Sequence, residues 1–152
     1  MDKFQKVDEY GQGKVIEQLV KIFNGKSLEF DQHFIDKSTV DIEMKVTTNN
    51  NIYNYVIEAK DRYYNHDAFG GEWLIEKKKY DELTKREGKC LYANTFNDDY
   101  LVVWDLNKLD ITEHRREVRE LPYKTLSPER GKINKVVYYL PVNKACYCNK
   151  FI

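Results

Sequence analysis

No stretch of this chain approaches the ~18 consecutive apolar residues that a membrane-spanning helix requires, so a bilayer-embedded helix is not expected. Proline and glycine are sparse, 3 and 7 in 152 residues, and no internal repeat, low-complexity tract or linker interrupts the sequence. The opening Met1-Asp2-Lys3-Phe4-Gln5-Lys6 lacks the apolar core and small-residue cleavage site of an export signal, which makes a cytoplasmic location the expectation. Cysteine is confined to Cys90, Cys146 and Cys148, an odd number that suits free thiols rather than a disulfide framework. Cys146-Tyr147-Cys148 finds no finger-type partner spacing in His33, His66 or His114, so structural zinc is not expected. A glycine-rich phosphate loop, a serine nucleophile elbow and a histidine-rich metal motif are also missing. Net charge is absent too: 25 basic and 25 acidic residues exclude a uniformly basic, nucleic-acid-coating surface.

What is present suits one soluble globular domain spanning 1–152, with 41% hydrophobic and 14% aromatic residues to build a core and 33% charged residues to solvate it. The charge is unevenly spread. Residues 1–60 carry a net −2, residues 61–120 a net −3 and residues 121–152 a net +5. A basic end beside an acidic centre suits phosphate contact in one place and metal in another, and equally suits ordinary solvated charge.

Val15, Ile16, Leu19, Val20, Ile22 and Phe23 recur with helical period over residues 9–24, with Gly25 as a stop. Strands are expected at 28–35, at 40–46 and at 52–60, separated by turns at Asp36-Lys37-Ser38 and Asn49-Asn50-Asn51. The second alternates Val40, Ile42, Met44 and Val46 with Asp41, Glu43 and Lys45; in the third, Val56, Glu58 and Lys60 share a side. A loop over 61–71 leads to an expected helix at 72–87 ended by Gly88. Further strands follow at 91–96, 101–104 and 136–140, with a short charged helix at 113–120 and no clear pattern at 121–135.

The most informative constellation is Asp41 followed on the next strand by Glu58-Ala59-Lys60. Glu-x-Lys occurs four times, at 43–45, 58–60, 76–78 and 87–89, but only the 58–60 copy has a strand acid before it and a helix directly after it. The same side chains also fit the wet face of an antiparallel sheet, with cross-strand pairs worth about 0.2–1 kcal/mol. The order of elements favours a site.

That order resembles the PD-(D/E)XK nuclease superfamily, whose core runs helix, three strands, helix, strand, with the first acid on the second strand and acid-x-lysine on the third. The likeness covers residues 9–105 and extends to Gly13, Glu17, Leu19 and Val20 in the first helix, a pattern similar to Holliday junction resolvases and related phage or bacterial endonucleases. Two positions depart from it: Val40 stands where proline often precedes the acid, and Glu76 precedes Tyr80 where some relatives have glutamine or lysine.

The resemblance implies an α/β fold with a mixed central sheet flanked by helices, and a metal-dependent endodeoxyribonuclease. Phosphodiester hydrolysis needs a hydroxide near neutral pH and relief of developing negative charge, which a divalent ion supplies. The Asp41 and Glu58 carboxylates and the Ala59 backbone carbonyl are the implied ligands for Mg²⁺ or Mn²⁺. Lys60 would orient or help activate the attacking water, and Glu17 would contribute through a metal-bound water or a second ion. Lys132, Lys135 and Arg130, in the basic C-terminal region, are candidates for DNA backbone contact, and Tyr63 and Tyr64 for stacking on an unpaired base. A homodimer with paired sites is the expected assembly for a small protein acting on two strands. A non-catalytic nucleic-acid-binding module and a protein-interaction domain are the rival readings.

Overall fold

A computed structural model describes the backbone of residues 3–24, 26–32, 41–122 and 131–152, and side chains within these from Tyr10 onward. Helix α1 (Lys3–Ile22) is longer at its start than the apolar stripe suggests, and Val15 and Leu19 are its buried anchors. The chain then forms β1 (Ser27–Gln32), β2 (Ile42–Thr48) and β3 (Asn51–Asp61), an antiparallel meander in which Ile42 lies opposite Ile57. The expected extension of the first strand to 35, the turn at 36–38, Val40 and the stop at Gly25 all fall outside the described residues.

Beyond β3 come β4 (Glu72–Glu76), α2 (Lys77–Thr84), β5 (Lys89–Thr95) and β6 (Tyr100–Asp105). The expected helix at 72–87 is therefore a strand followed by a shorter helix. Trp73 and Ile75 alternate inward over five residues, and that period of two, paired with a strand distant in sequence, overrides helical propensity. The chain ends with β7 (Arg116–Pro122), β8 (Lys132–Pro141) and β9 (Tyr147–Lys150). The charged helix expected at 113–120 is instead mostly β7, an outer strand of its sheet whose exposed charges suit an edge. No pattern in the sequence announced β9.

Six strands form a mixed sheet in the order β1-β2-β3-β5-β6-β9, with β3 and β5 parallel and every other neighbouring pair antiparallel. Three more form a second antiparallel sheet, β4-β8-β7. One face of the large sheet buries Ile42, Met44, Ile57 and Leu101 with Val15 and Leu19 of α1. The opposite face buries Val56, Tyr92 and Trp104 with Leu83 of α2 and with Trp73, Ile75 and Leu140 of the second sheet. Gly88, at φ +93°, lets β5 begin against β3: a Cβ there would lie 2.6 Å from the Asn54 carbonyl oxygen.

The expected order of helix, three strands, helix and strand is present, with β4 interposed before α2. Among the described residues, no helix is long and apolar enough to cross a membrane. All three cysteines are free.

Candidate active site

Alternation along β3 sends Ile57 and its odd-numbered neighbours toward α1, and sends Val56, Glu58 and Lys60 toward α2 and the second sheet. The β2–β3 register, extended one residue beyond Ile42, sets Asp41 beside Glu58. The β2 ladder stops at Ile42, and the Asp41 carboxylate takes over from it by accepting the Ala59 backbone N–H at 2.9 Å. Two acids distant in sequence thus meet at the end of a strand pair, with Lys60 exposed on the same side of β3.

Glu58 is only 5% exposed. Its Oε1 lies 3.7 Å from the Lys79 Nζ of α2, while its Oε2 is buried without a hydrogen-bond partner. A buried carboxylate with an orphaned oxygen is costly when ionised. Burial, reinforced by the negative charge of Asp41, pushes the Glu58 carboxyl up to about 8, against the opposing pull of Lys79 and Lys60. Burial also raises Asp41, although the Ala59 N–H and the two lysines favour its charged form. The two carboxyls lie close enough to bond when one is protonated, and deeper burial beside the Asp41 charge favours the proton on Glu58.

Around this pair the strand end is braced. Arg62 donates from Nε to Asn94 at 2.7 Å, and from one terminal nitrogen to the Leu74 carbonyl at 2.9 Å and the Tyr92 hydroxyl at 2.8 Å. Tyr92 and Asn94 are the β5 neighbours of Glu58 and Lys60, so the guanidinium ties β3 to both β5 and β4. On the α1 side, Lys14 pairs with Asp61 at 3.3 Å.

The structure does not bring Glu17 into this arrangement. Its carboxylate is 67% exposed and pairs with Lys21 one helical turn on, at 3.4 Å. Glu43, expected to be a neighbouring surface acid, lies 3.7 Å from Arg86. Tyr63 and Tyr64 are exposed just past the end of β3. Lys132 is exposed at the start of β8, Lys135 is mostly covered and paired with Glu76 at 3.0 Å, and Arg130 lies outside the described residues. Lys79 stands in the sequence only as one of three consecutive lysines that fit a phosphate track or, better, a solvated helix face, and Arg62 matters only through partners on β4 and β5. A second cluster, His66, Asp67 and Asp98, gathers three potential metal-ligating atoms within 4.8 Å of one another, although His66 Nδ1 already sits 2.6 Å from Asp98.

Compared with known proteins, the chain matches no family model, no curated protein and no solved structure.

Function must therefore be argued from the chemistry of the site. Two carboxyl groups, one with an unsatisfied buried oxygen, flanked by two ammonium groups, form a cluster of mixed charge whose hard oxygens suit a divalent cation next to an anion. Either a proton or a cation can offset the clustered negative charge, and burial beside Asp41 favours the protonated form of Glu58.

Proposed function

We propose that this chain is a metal-dependent endodeoxyribonuclease whose active centre is Asp41, Glu58 and Lys60, on a restriction-endonuclease-like core. The observation that carries the reading is the buried Glu58 carboxylate beside Asp41, with Oε2 lacking a hydrogen-bond donor. The element order supports it, as does the antiparallel β1-β2-β3 meander joined in parallel to β5.

The donor set fits a hard divalent ion such as Mg²⁺ or Mn²⁺, held by Asp41 and Glu58, with the Ala59 carbonyl as the third ligand that the family resemblance implies. When bound, such an ion lowers the pKa of water and stabilises negative charge on the phosphoryl oxygens. The protein's own groups have separate tasks. Asp41 is oriented by the Ala59 N–H and Glu58 is enclosed by packing, so both carboxylates are held before substrate arrives. Lys60, exposed beside them, orients water and offsets charge on the scissile phosphate; Lys79 contributes a second positive charge from α2. Exposed Lys132 contacts the DNA backbone, and a homodimer would present two such centres to two strands.

Incubation with supercoiled, linear, single-stranded and branched DNA, in Mg²⁺, Mn²⁺ or EDTA, tests the reading. Cleavage should require the divalent ion. Asp41→Ala, Glu58→Ala and Lys60→Ala should each lower it at least about a hundredfold, while Glu43→Ala keeps most of it. Equal activity in folded variants of the first three would overturn the assignment. The Lys79 contact favours a second reading, since an ammonium can balance Glu58 without metal in a non-catalytic DNA-binding module. Metal-independent DNA binding with no cleavage of any substrate would establish that alternative.

A further inference from the structure

The segment joining β3 to β4 places three large rings in solvent: Tyr63 is 70% exposed, Tyr64 53% and Phe69 66%. This loop is firmly held. The Arg62 backbone N–H donates to the Thr95 carbonyl at 2.8 Å, the Asn97 N–H to the Tyr64 carbonyl at 2.9 Å, and the Trp73 indole N–H to the His66 carbonyl at 2.9 Å. The Asp98 carboxylate accepts the His66 backbone N–H at 3.2 Å and faces the His66 ring nitrogen at 2.6 Å, while that ring stacks on Tyr100 with centroids 3.7 Å apart. The His66–Asp98 contact thus serves as a clamp on the loop.

Phe69 adopts φ 54° and ψ 36°, a left-handed conformation that bulky side chains rarely take. Its ring meets Tyr64 edge-on at 4.8 Å and Trp73 edge-on at 5.8 Å, yet most of it remains in water. The two edge-on contacts offset part of that backbone cost while leaving most of the ring free to meet a partner. Rings displayed on a pre-ordered loop lose little freedom when a flat partner stacks on them.

The composition narrows the partner. Residues 62–71 read Arg-Tyr-Tyr-Asn-His-Asp-Ala-Phe-Gly-Gly, without one leucine, isoleucine, valine or methionine. Aliphatic side chains are what a lipid-facing surface adds to its rings, whereas tyrosine- and glycine-rich loops serve protein partners as well as nucleobases, so the choice between these two falls to the charge beside the loop. Lys60, the exposed cation of the candidate site, lies three residues before Tyr63, within roughly 10 Å along an extended chain, and can take the phosphate of a nucleotide whose base reaches the rings. In a duplex, both faces of each internal base are already stacked, so only an unpaired base can use this loop.

We propose that the Tyr63–Phe69 loop binds unpaired DNA bases and directs the Asp41–Glu58 centre to single-stranded or splayed DNA. The substrate assignment rests on the nuclease reading, but base binding by the loop can be measured without any cleavage. Fluorescence anisotropy in EDTA, with labelled oligo(dT) and a duplex of equal length, provides the test for wild type, Tyr63→Leu and Phe69→Leu. Leucine keeps apolar area and removes the π-face. Each substitution should weaken oligo(dT) binding about tenfold, corresponding to about 1.4 kcal/mol, and change duplex binding less than twofold. Phe69→Gly, which suits the left-handed backbone, should fold normally by circular dichroism and show the same loss.

Equal weakening on both DNAs, or none on oligo(dT), would overturn the proposal. So would a wild-type dimer that Phe69→Leu converts to monomer, since the loop would then be a contact between copies. Metal-dependent cleavage of duplex by a protein with no oligo(dT) preference would retain the nuclease and reject this loop function. Ring-dependent oligo(dT) binding without cleavage of any DNA would support the base-binding loop and reject the nuclease.

Discussion

Glu58 has two ways to resolve its burial, and they respond to pH in opposite senses. In metal-free protein its carboxyl sits near 8 when folded, against an ordinary value of 4.5, so between these values the folded state holds a proton that the unfolded chain has released. Stability contributed by this residue therefore falls as pH rises from about 4.5 to about 8, and changes little beyond. A divalent ion on Asp41 and Glu58 favours the charged form and should oppose that loss. Thermal unfolding across pH 5–9 is the measurement. Glu58→Gln, which keeps the shape but cannot ionise, should flatten this part of the profile and unfold at a higher temperature than metal-free wild type at pH 9. If the proposed site takes Mg²⁺ or Mn²⁺, either ion should raise the unfolding temperature of wild type and not that of this variant. A profile equally steep in both proteins would show that Glu58 does not titrate in this window.

At the scale of elements, the contact between β5 and β3 sets where the Glu58 and Lys60 side chains stand relative to Tyr92 and Asn94. Gly88 starts that contact, and an added Cβ would meet carbonyl oxygen of Asn54 rather than a yielding side chain. Gly88→Ala should therefore destabilise the fold by about 1–3 kcal/mol in urea unfolding, and should lower the proposed metal-dependent cleavage in the fraction that remains folded. An unchanged midpoint would mean that the two strands can separate without penalty.

Some elements are legible in the sequence because their signal is local. The alternation of Ile42, Met44 and Val46 with Glu43 and Lys45 shows one strand with a wet side, and the spacing to Glu58 and Lys60 places acid and lysine on the side of the sheet that carries Asp41. β4 is hidden because only five residues alternate before Lys77 starts a helix, with no glycine or proline between them. β7 is hidden because Arg116, Glu117, Arg119 and Glu120 have helix-like charge spacing, while the strand that pairs with them lies beyond residue 131. The Glu58–Lys79 contact and the departure of Glu17 from the site depend on how helices settle on the sheet, which no local pattern encodes.

Viewed as a whole, the molecule is stitched together by its last residues. The backbone N–H of Ile152 donates to Gln18 on α1 at 2.8 Å, and the Ile152 carbonyl accepts from Lys21 on the same helix at 2.8 Å. Just before them β9 pairs with β6, where Leu101 through Asp105 are all buried. Removing residues 142–152 would leave that apolar strand with an open edge. The truncated chain should scatter light and elute as aggregate after refolding at a concentration where the full chain stays dispersed. A monomeric, folded truncation would show that β9 is dispensable.

The position of β9 in the sheet also sets a timetable for biosynthesis. Because β6 is made more than forty residues before β9, it can leave the ribosome with one edge unpaired while β9 is still unmade or inside the exit tunnel. The hazard is greatest on crowded polysomes, where neighbouring nascent chains display the same edge, and it lasts until β9 emerges and closes the sheet.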